Sequence, residues 1–257
     1  MAEIFRRVEK KYILDKAQYE KILPELKKYM DEDKHGESTI CNVYFDNESY
    51  DLIRHSITKP YYKEKVRVRS YNTPTLDSKV YLEIKRKVNK VVGKRRIEMK
   101  LNDFYNYLND KDSLEKVNPQ IKKELDYTFK YWDLKPKMYI SYERVALYEK
   151  NNNDFRATFD KNILARRDNL NLEKGSYGTD ILGKGLYVLE IKTLGTIPLW
   201  FAKLINELEI KPGNFSKYGE AYEQLVMNKN VKENVISYAF EKQNSNESAD
   251  VRAKALA

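Results

Sequence analysis

Three neighbouring segments between residues 65 and 100 constrain the fold most, because each alternates cationic with apolar side chains. They read KVRVRSY, KVYLEIKRK and KRRIEMK, with VNKVVG joining the last two. At the strand period of two, Lys65, Arg67 and Arg69 share one face, and the valines between them share the other. The pattern predicts antiparallel strands with an apolar face that must be buried and a charged face opposite it.

The charged face continues on the second and third segments and returns far along the chain. A single strand of this kind fits an ordinary sheet with one solvated side. Recurrence on many strands favours charged faces that meet each other inside a curled sheet, with helices covering the apolar faces. The other residues in this phase are Arg7, Glu9, Lys11, Glu83, Lys85, Lys87, Arg96, Arg144, Arg156, Glu190 and Lys192.

Composition narrows the chemistry of the partner and of the site. The chain of 257 residues has 48 basic and 39 acidic side chains, a net charge of +9 that indicates a polyanionic ligand such as a nucleotide, polyphosphate, nucleic acid or anionic membrane. With 2 histidines and 1 cysteine, it lacks the residues for a usual zinc site or for Ser–His or Cys–His catalysis. The lone Cys41 and the lack of a long apolar run predict a cytoplasmic protein without a membrane span.

The order of predicted elements indicates an α+β fold. Predicted strands occupy 4–14, 39–46, the three segments above, 137–149, 154–167 and 187–195. Predicted helices cover 15–31, a short piece near 47–57, 101–133 with an interruption near Pro119, 198–209 and the residues after Ser216. We expect a closed or nearly closed antiparallel β-barrel with a charged lumen and helices packed outside. Residues 1–240 form one domain in this prediction, and 241–257 form a polar, mobile tail.

So many cations in one lumen would repel each other unless a multiply charged anion or buried carboxylates compensated them. A triphosphate suits such a lumen, because Arg binds its oxygens in bidentate fashion and Lys acts as a point charge. The glutamates in the same phase would hold a divalent cation, Mg²⁺ or Mn²⁺. This chemistry is phosphoryl transfer by positioning and charge neutralisation, and no GxxxxGK[ST] motif for a P-loop is present.

Several short motifs, in order along residues 4–228, resemble one known family. They are RVEKKY (7–12), YFD (44–46), KVRVR (65–69), LEIK (82–85), KRR (94–96), YER (142–144), RATFD (156–160), the second LEIK (189–192) and FSKY (215–218). Together they resemble the polyphosphate-polymerase domain of the vacuolar transporter chaperone (VTC) family, in the CYTH-like triphosphate tunnel superfamily. Eukaryotic members of that family carry a basic residue two positions before Ser216, where this chain has Asn214. We expect this difference to alter the affinity for polyphosphate or the product length more than the chemistry.

The resemblance implies a tunnel that binds ATP, transfers its γ-phosphoryl group to a growing polyphosphate chain and releases ADP. It implies catalytic phosphate clamps at Lys11, Arg67, Arg69, Lys85, Arg144 and Arg156. Further phosphate-binding residues are expected at Arg7, Lys87, Arg96, Lys192, Ser216 and Lys217. Glu190 is the expected metal ligand, with Glu83 and Glu9 as further carboxylates.

Two other functions stay open at this point. The same fold could hydrolyse tripolyphosphate or nucleoside triphosphates with a metal ion. The chain could also be a noncatalytic module that binds polyphosphate or RNA. A nucleic-acid binder should carry its cations on an open face among aromatic residues, whereas here they alternate with apolar residues on several strands. We therefore expect ATP and polyphosphate as partners, and no nucleic acid.

Overall fold

The computed structural model describes residues 7–58, 60–89, 91–114, 117–150 and 154–228. The mobile tail predicted for 241–257 lies outside these residues. Ten strands form one antiparallel sheet in the order β10-β1-β9-β7-β6-β2-β3-β4-β5, and β8 pairs with β7 beside this path. The strands are β1 (Arg7–Leu14), β2 (Met30–Asp46), β3 (Tyr62–Tyr71), β4 (Lys79–Val88), β5 (Val91–Lys100), β6 (Lys135–Glu149), β7 (Arg156–Arg166), β8 (Thr179–Asp180), β9 (Tyr187–Leu194) and β10 (Pro212–Gly213).

Six α-helices connect or cover the strands in the described part of the chain. They are α1 (Lys16–Tyr29), α2 (Asp51–Ile57), α3 (Leu101–Asn109), α4 (Pro119–Trp132), α5 (Leu199–Glu207) and α6 (Lys217–Leu225). Asp15 caps α1 by accepting a hydrogen bond from Gln18 N at 2.7 Å. The predicted interruption of the 101–133 helix is confirmed, because Pro119 starts a new helix that Asn118 caps.

The sheet is strongly curled, as contacts between distant strands demonstrate. β1 and β4 are six places apart in the hydrogen-bonded order, which in a flat sheet would separate them by about 29 Å. Glu9 on β1 nevertheless lies 3.6 Å from Lys85 on β4. Among the described residues no ladder joins β5 to β1 or β10, so the barrel is nearly closed. This confirms the fold class predicted from the sequence.

Two apolar cores cover the outer face of the sheet. Valines, leucines and isoleucines of β2 to β5 pack under α3 and α4, with Phe104 and Phe129 at the centre. The outward residues of β1, β7 and β9 pack under α1 and α5, around Phe159 and Phe201. These are the apolar faces that the two-residue period predicted. Their burial on the outer side leaves the opposite phase of each strand facing the lumen.

A third core fills one end of the lumen, so the predicted charged lumen occupies only part of the barrel interior. Ile140 and Val188 share the inward phase with the charged residues, yet they pack against Phe215 and Tyr222 around α6. Helix α2 lies at the same end, where Asp46 accepts hydrogen bonds from the backbone N–H groups of its first turn. The helices α2 and α6 therefore close one end of the barrel with apolar side chains, and the charged residues occupy the rest.

Strand β2 is longer than the sequence predicted. It begins at Met30 rather than near residue 39, because its polar first part pairs with the end of β6 before an irregularity between Glu32 and Glu37. A polar edge segment of this kind carries no apolar period, so its strand character was not visible. Within the described ranges, no helix has the length and apolarity needed to cross a bilayer.

Candidate active site

Arg67 and Glu83 form the centre of one group of charges in the lumen. They lie opposite each other on β3 and β4. Arg67 donates two hydrogen bonds to Glu83 Oε2, from Nε at 2.9 Å and Nη2 at 2.8 Å, and a third to the hydroxyl of Tyr44 at 3.1 Å. Lys94 Nζ and Arg96 Nε lie 2.6 Å and 3.0 Å from Glu83 Oε1. Glu83 of β4 thus holds three cations, one from β3 and two from β5, around one buried carboxylate.

The KRR segment on β5 divides between the two faces of the sheet. Arg95 points outward and contacts Glu124 of α4 at 3.1 Å. Arg96 and Lys94 point into the lumen, as the alternation predicted for Arg96. Burial would raise the pKa of Glu83, but Arg67, Arg69 and Lys94 outweigh it and lower that pKa to about 2. The carboxylate therefore stays charged and paired at neutral pH.

Arg69 lies next to this group and is almost fully buried. It donates to Asn42 Oδ1 at 2.9 Å and to the hydroxyl of Tyr142 at 3.1 Å. Burial would raise the pKa of Tyr44, the phenol bound by Arg67, but Arg67, Lys65 and Arg69 outweigh it and lower that pKa to about 8. Arg67 is thus fixed by a carboxylate and a phenol, and Arg69 by an amide and a phenol. Of the five N–H donors of a guanidinium, these contacts use three in Arg67 and two in Arg69.

A second group of charges centres on Asp160 of β7, which is completely buried. Arg144 on β6 binds it in bidentate fashion, with Nε–Oδ1 and Nη2–Oδ2 distances of 2.6 Å and 2.7 Å. Lys217, the first residue of α6, donates to Oδ2 at 2.5 Å. Burial would raise the pKa of Asp160, but Arg144 and Lys217 lower it to about 2. This carboxylate therefore connects β6, β7 and the start of α6.

The start of α6 contacts the lumen through two further hydrogen bonds, both from lysines. Ser216 caps the helix by accepting a hydrogen bond from Gly219 N at 3.2 Å. Lys65 Nζ donates to Ser216 Oγ at 3.0 Å, and Lys11 Nζ donates to the carbonyl of Phe215 at 3.0 Å. Burial lowers the pKa of Lys65 to about 8. A helix N-terminus, a hydroxyl and two ammonium groups thus converge at one place, an arrangement suited to a phosphate group.

The third group contains Glu190 and Glu9. Glu190 lies 2.5 Å from Lys192 Nζ and 3.4 Å from Lys11 Nζ. Glu9 lies 3.7 Å from Lys11 and 3.6 Å from Lys85. Burial would raise the pKa of Glu190, but Lys192 and Lys11 outweigh it and hold that pKa well below its usual range. Lys11 thereby links this group to the start of α6.

The remaining predicted residues either make no described side-chain contact with these groups or have a side chain that the structure does not describe. Arg156 is exposed and pairs in register with Lys192, and no ion pair joins it to another described residue. Lys87 is half-buried near the end of β4. The backbone of Arg7 pairs with Leu194, but its side chain lies outside what the structure describes. The structure therefore brings most predicted phosphate ligands together, whereas Arg156 and Lys87 make no ion pair with another described residue.

The three predicted metal ligands differ in how well they suit a divalent cation. No group of three or more His, Cys, Asp or Glu side chains comes together among the described residues. Glu83 has cations against both oxygens, which leaves a metal ion little favourable space. Glu190 and Glu9 also have a lysine against each oxygen, but three of these four contacts measure 3.4–3.7 Å, whereas the contacts of Glu83 measure 2.6–3.0 Å. Because Mg²⁺ and Mn²⁺ often bind through one or two carboxylates plus substrate phosphates, Glu190 with Glu9 fits such an ion better than Glu83 does.

Five lumen residues were absent from the predicted ligand set. Lys65 is in phase with Arg67 and Lys94 with Arg96, so alternation alone could have found them. Tyr44, Tyr142 and Asp160 required the fold. Their contacts are made across strands or with α6, and no local pattern marks a phenol or a carboxylate as a partner of a distant arginine. These residues are part of the lumen as much as the predicted cations are.

Comparison with known proteins identifies a family and a fold for this chain. The profile of a family described as the VTC domain matches residues 6–226. A candidate adenylate cyclase from Bacillus halodurans superposes with a TM-score of 0.50 at 12% identity, covering 82% of this chain and 95% of that one. A candidate adenylyl cyclase from Hippeastrum, described as having a dominant triphosphatase activity, gives 0.48 at 14% identity over 84% and 94%. A Pyrococcus horikoshii protein gives 0.45 at 13% over 87% and 99%. No curated protein matches significantly. The tunnel fold is thus confirmed.

Proposed function

The chain belongs to the VTC-domain family, and on that premise we propose that it is a metal-dependent polyphosphate polymerase that uses ATP. The terminal oxygen of a polyphosphate chain attacks the γ-phosphorus of ATP, the bond from that phosphorus to the β,γ-bridging oxygen breaks, and ADP leaves. Each cycle lengthens the chain by one phosphate. The coarser claim, that the protein acts on triphosphates through phosphoryl chemistry, has the support of the family and of the tunnel fold.

One observation carries the proposal. The lumen holds many more cations than carboxylates, and they come from β1, β3, β4, β5, β6, β9 and α6. They are Lys11, Lys65, Arg67, Arg69, Lys85, Lys94, Arg96, Arg144, Lys192 and Lys217, against Glu9, Glu83, Asp160 and Glu190. Cations that come from six strands and one helix match a linear polyanion better than a single phosphate. Enclosure by a sheet also distinguishes this site from an open nucleic-acid surface.

The lumen residues would catalyse the reaction by holding the reacting groups and neutralising charge. Arg67 and Arg69 present guanidinium forks to non-bridging oxygens, and Lys217 and Ser216 present donors at the start of α6. Charge develops on the transferring phosphoryl oxygens and on the leaving ADP in the transition state. Cations held in place by the protein are effective there, because they need not reorganise as the charge develops.

A divalent cation would be held by Glu190, with Glu9 nearby and phosphate oxygens supplying the other ligands. When bound, the ion supplies charge neutralisation between adjacent phosphates. The pairing of Glu190 with Lys11 and Lys192 keeps its carboxylate ionised, and a metal ion would take the place of one of these lysines at the carboxylate. The choice between Mn²⁺ and Mg²⁺ is not determined by these oxygen donors.

The test is incubation of the purified protein with ATP labelled at the γ-phosphate in the presence of Mn²⁺ or Mg²⁺. We expect label to enter long chains resolved on a gel, with ADP formed in equal amount to the phosphate incorporated. Orthophosphate without chains would overturn the polymerase in favour of a hydrolase. Binding of polyphosphate or RNA without turnover would indicate a noncatalytic module. Arg67→Ala, which removes the central guanidinium, is the inactive control for each measurement.

A further inference from the structure

We propose that Asp160 is a positioning residue that builds one phosphate subsite from two separate elements, by holding Arg144 of β6 and Lys217 of α6 on the same carboxylate. The inference rests on the phosphate site of the proposed function, but it does not require that the product be a polymer. Without such a role, the negative charge of Asp160 would oppose the binding of an anion in the lumen.

The contacts of Asp160 leave it little capacity for another role. Both oxygens accept from Arg144, and Oδ2 also accepts from Lys217 at 2.5 Å. The residue is fully buried, and Lys217 retains only a small exposed fraction, 11% of its side chain. A metal ion would have to displace two cations to reach these oxygens. Asp160 is thus fully used in orienting its two partners.

The position of α6 gives this pairing a consequence beyond stability. Lys217 is the first residue of α6, and its neighbour Ser216 is both the cap of that helix and the acceptor from Lys65. The Asp160–Lys217 bond therefore fixes the orientation of Ser216 and of the helix N-terminus relative to β3 and β6. Tyr142 supports the same arrangement, since its ring lies 4.4 Å from Lys217 Nζ and 5.0 Å from the Arg144 guanidinium.

Charge and positioning predict opposite results when Asp160 becomes neutral. Asp160→Asn removes a negative charge from the lumen, which by Coulomb attraction alone should tighten the binding of tripolyphosphate. If Asp160 positions Arg144 and Lys217, the same change should weaken binding, because both cations lose their fixed direction. We expect a ~10–100-fold weaker Kd, the usual effect of losing one or two charge-assisted hydrogen bonds.

The experiment measures tripolyphosphate binding calorimetrically, with chelator present so that no turnover occurs. Glu143→Gln is the matched control, because Glu143 belongs to the same pair of strands and pairs with Lys161 on the outer surface. It should change Kd less than twofold. In the Asp160→Asn background, Lys217→Ala should cost much less than in the wild type, since Lys217 is already misplaced. A Kd for Asp160→Asn equal to or tighter than wild type overturns the proposal.

Asp160→Glu decides the question if the Asn variant does not fold. This variant keeps a negatively charged carboxylate that can pair with Arg144 and Lys217, but moves it by the length of one methylene group. Positioning predicts weaker tripolyphosphate binding at unchanged net charge, and unchanged affinity in a folded Asp160→Glu variant would contradict it. Failure of the wild type to make polyphosphate would sink the polymerase and leave these binding results intact.

Discussion

The affinity of the lumen for tripolyphosphate should fall steeply as pH rises from 7 to 9. Two groups titrate in this range, because the pKa of Lys65 and that of Tyr44 are both lowered to about 8. A bound polyanion favours the charged ammonium and the neutral phenol. Binding therefore raises both pKa values, and affinity is full below pH 8 and is lost as pH rises through it.

The size of the effect follows from these two values. Between pH 7 and pH 9, a single group with a pKa of 8 in the free protein weakens binding by about 10-fold, and two independent groups would weaken it by about 100-fold. Lys65 and Tyr44 interact, so their titrations are coupled and the combined loss lies between these limits. Lys65→Met and Tyr44→Phe should each remove one part of the pH dependence.

The assay is calorimetry with tripolyphosphate at several pH values, without metal ions and at constant ionic strength. The ligand's own ionisation is common to all variants, so the difference between wild type and variant isolates the protein groups. Lys161→Met is the matched control, because Lys161 pairs with Glu37 on the outer surface and its loss changes net charge equally. If Lys65→Met kept the full wild-type pH slope, the assignment of that slope to the lumen would be refuted.

Three further outcomes follow from the geometry. Arg96→Ala should weaken tripolyphosphate binding ~5–10-fold, whereas Arg95→Ala should weaken it less than twofold, because only Arg96 points into the lumen. Calorimetry on both variants checks this, and equal losses would contradict the assignment of Arg96 to the inner face and Arg95 to the outer face. Arg67→Ala should lower ATP turnover at least ~100-fold with an unchanged circular-dichroism spectrum, because Glu83 keeps its other cations; retained turnover would count against the lumen site. The lowered pKa of Asp160 should contribute about 2 kcal/mol to the free energy of unfolding above pH 4, and this contribution is lost as pH falls through 2. Denaturant unfolding at several pH values measures it, and Asp160→Asn should abolish that pH dependence.

The alternation of side chains was enough to predict the sheet and which phase of each strand faces inward. Val66 and Ile84 are buried outside, and Arg67 and Lys85 point inward, because a strand has only two faces and the apolar one must be covered. The same rule separates Arg95 from Arg96. Where a strand is polar on both faces, as at the start of β2, the rule gives no signal and does not predict that part of the strand.

The partners of the cations could not be predicted from local sequence. Asp160 shares a strand face with Arg156, yet it binds Arg144 of the neighbouring strand and Lys217 of a helix 57 residues later. The apolar core at the α6 end of the barrel could not be predicted for a similar reason. Ile140 lies in the same strand phase as Arg144, and only the packing of Phe215 distinguishes their surroundings. Such contacts depend on how the sheet curls, which no single strand encodes.

The most direct test of the central claim is a crystal structure of the protein with tripolyphosphate. We predict a linear anion inside the lumen, with oxygens about 2.7–3.2 Å from donors of Arg67, Arg69 and Lys217. An anion bound only on outer basic residues such as Lys123 and Lys130, with the lumen free of phosphate, would contradict the account.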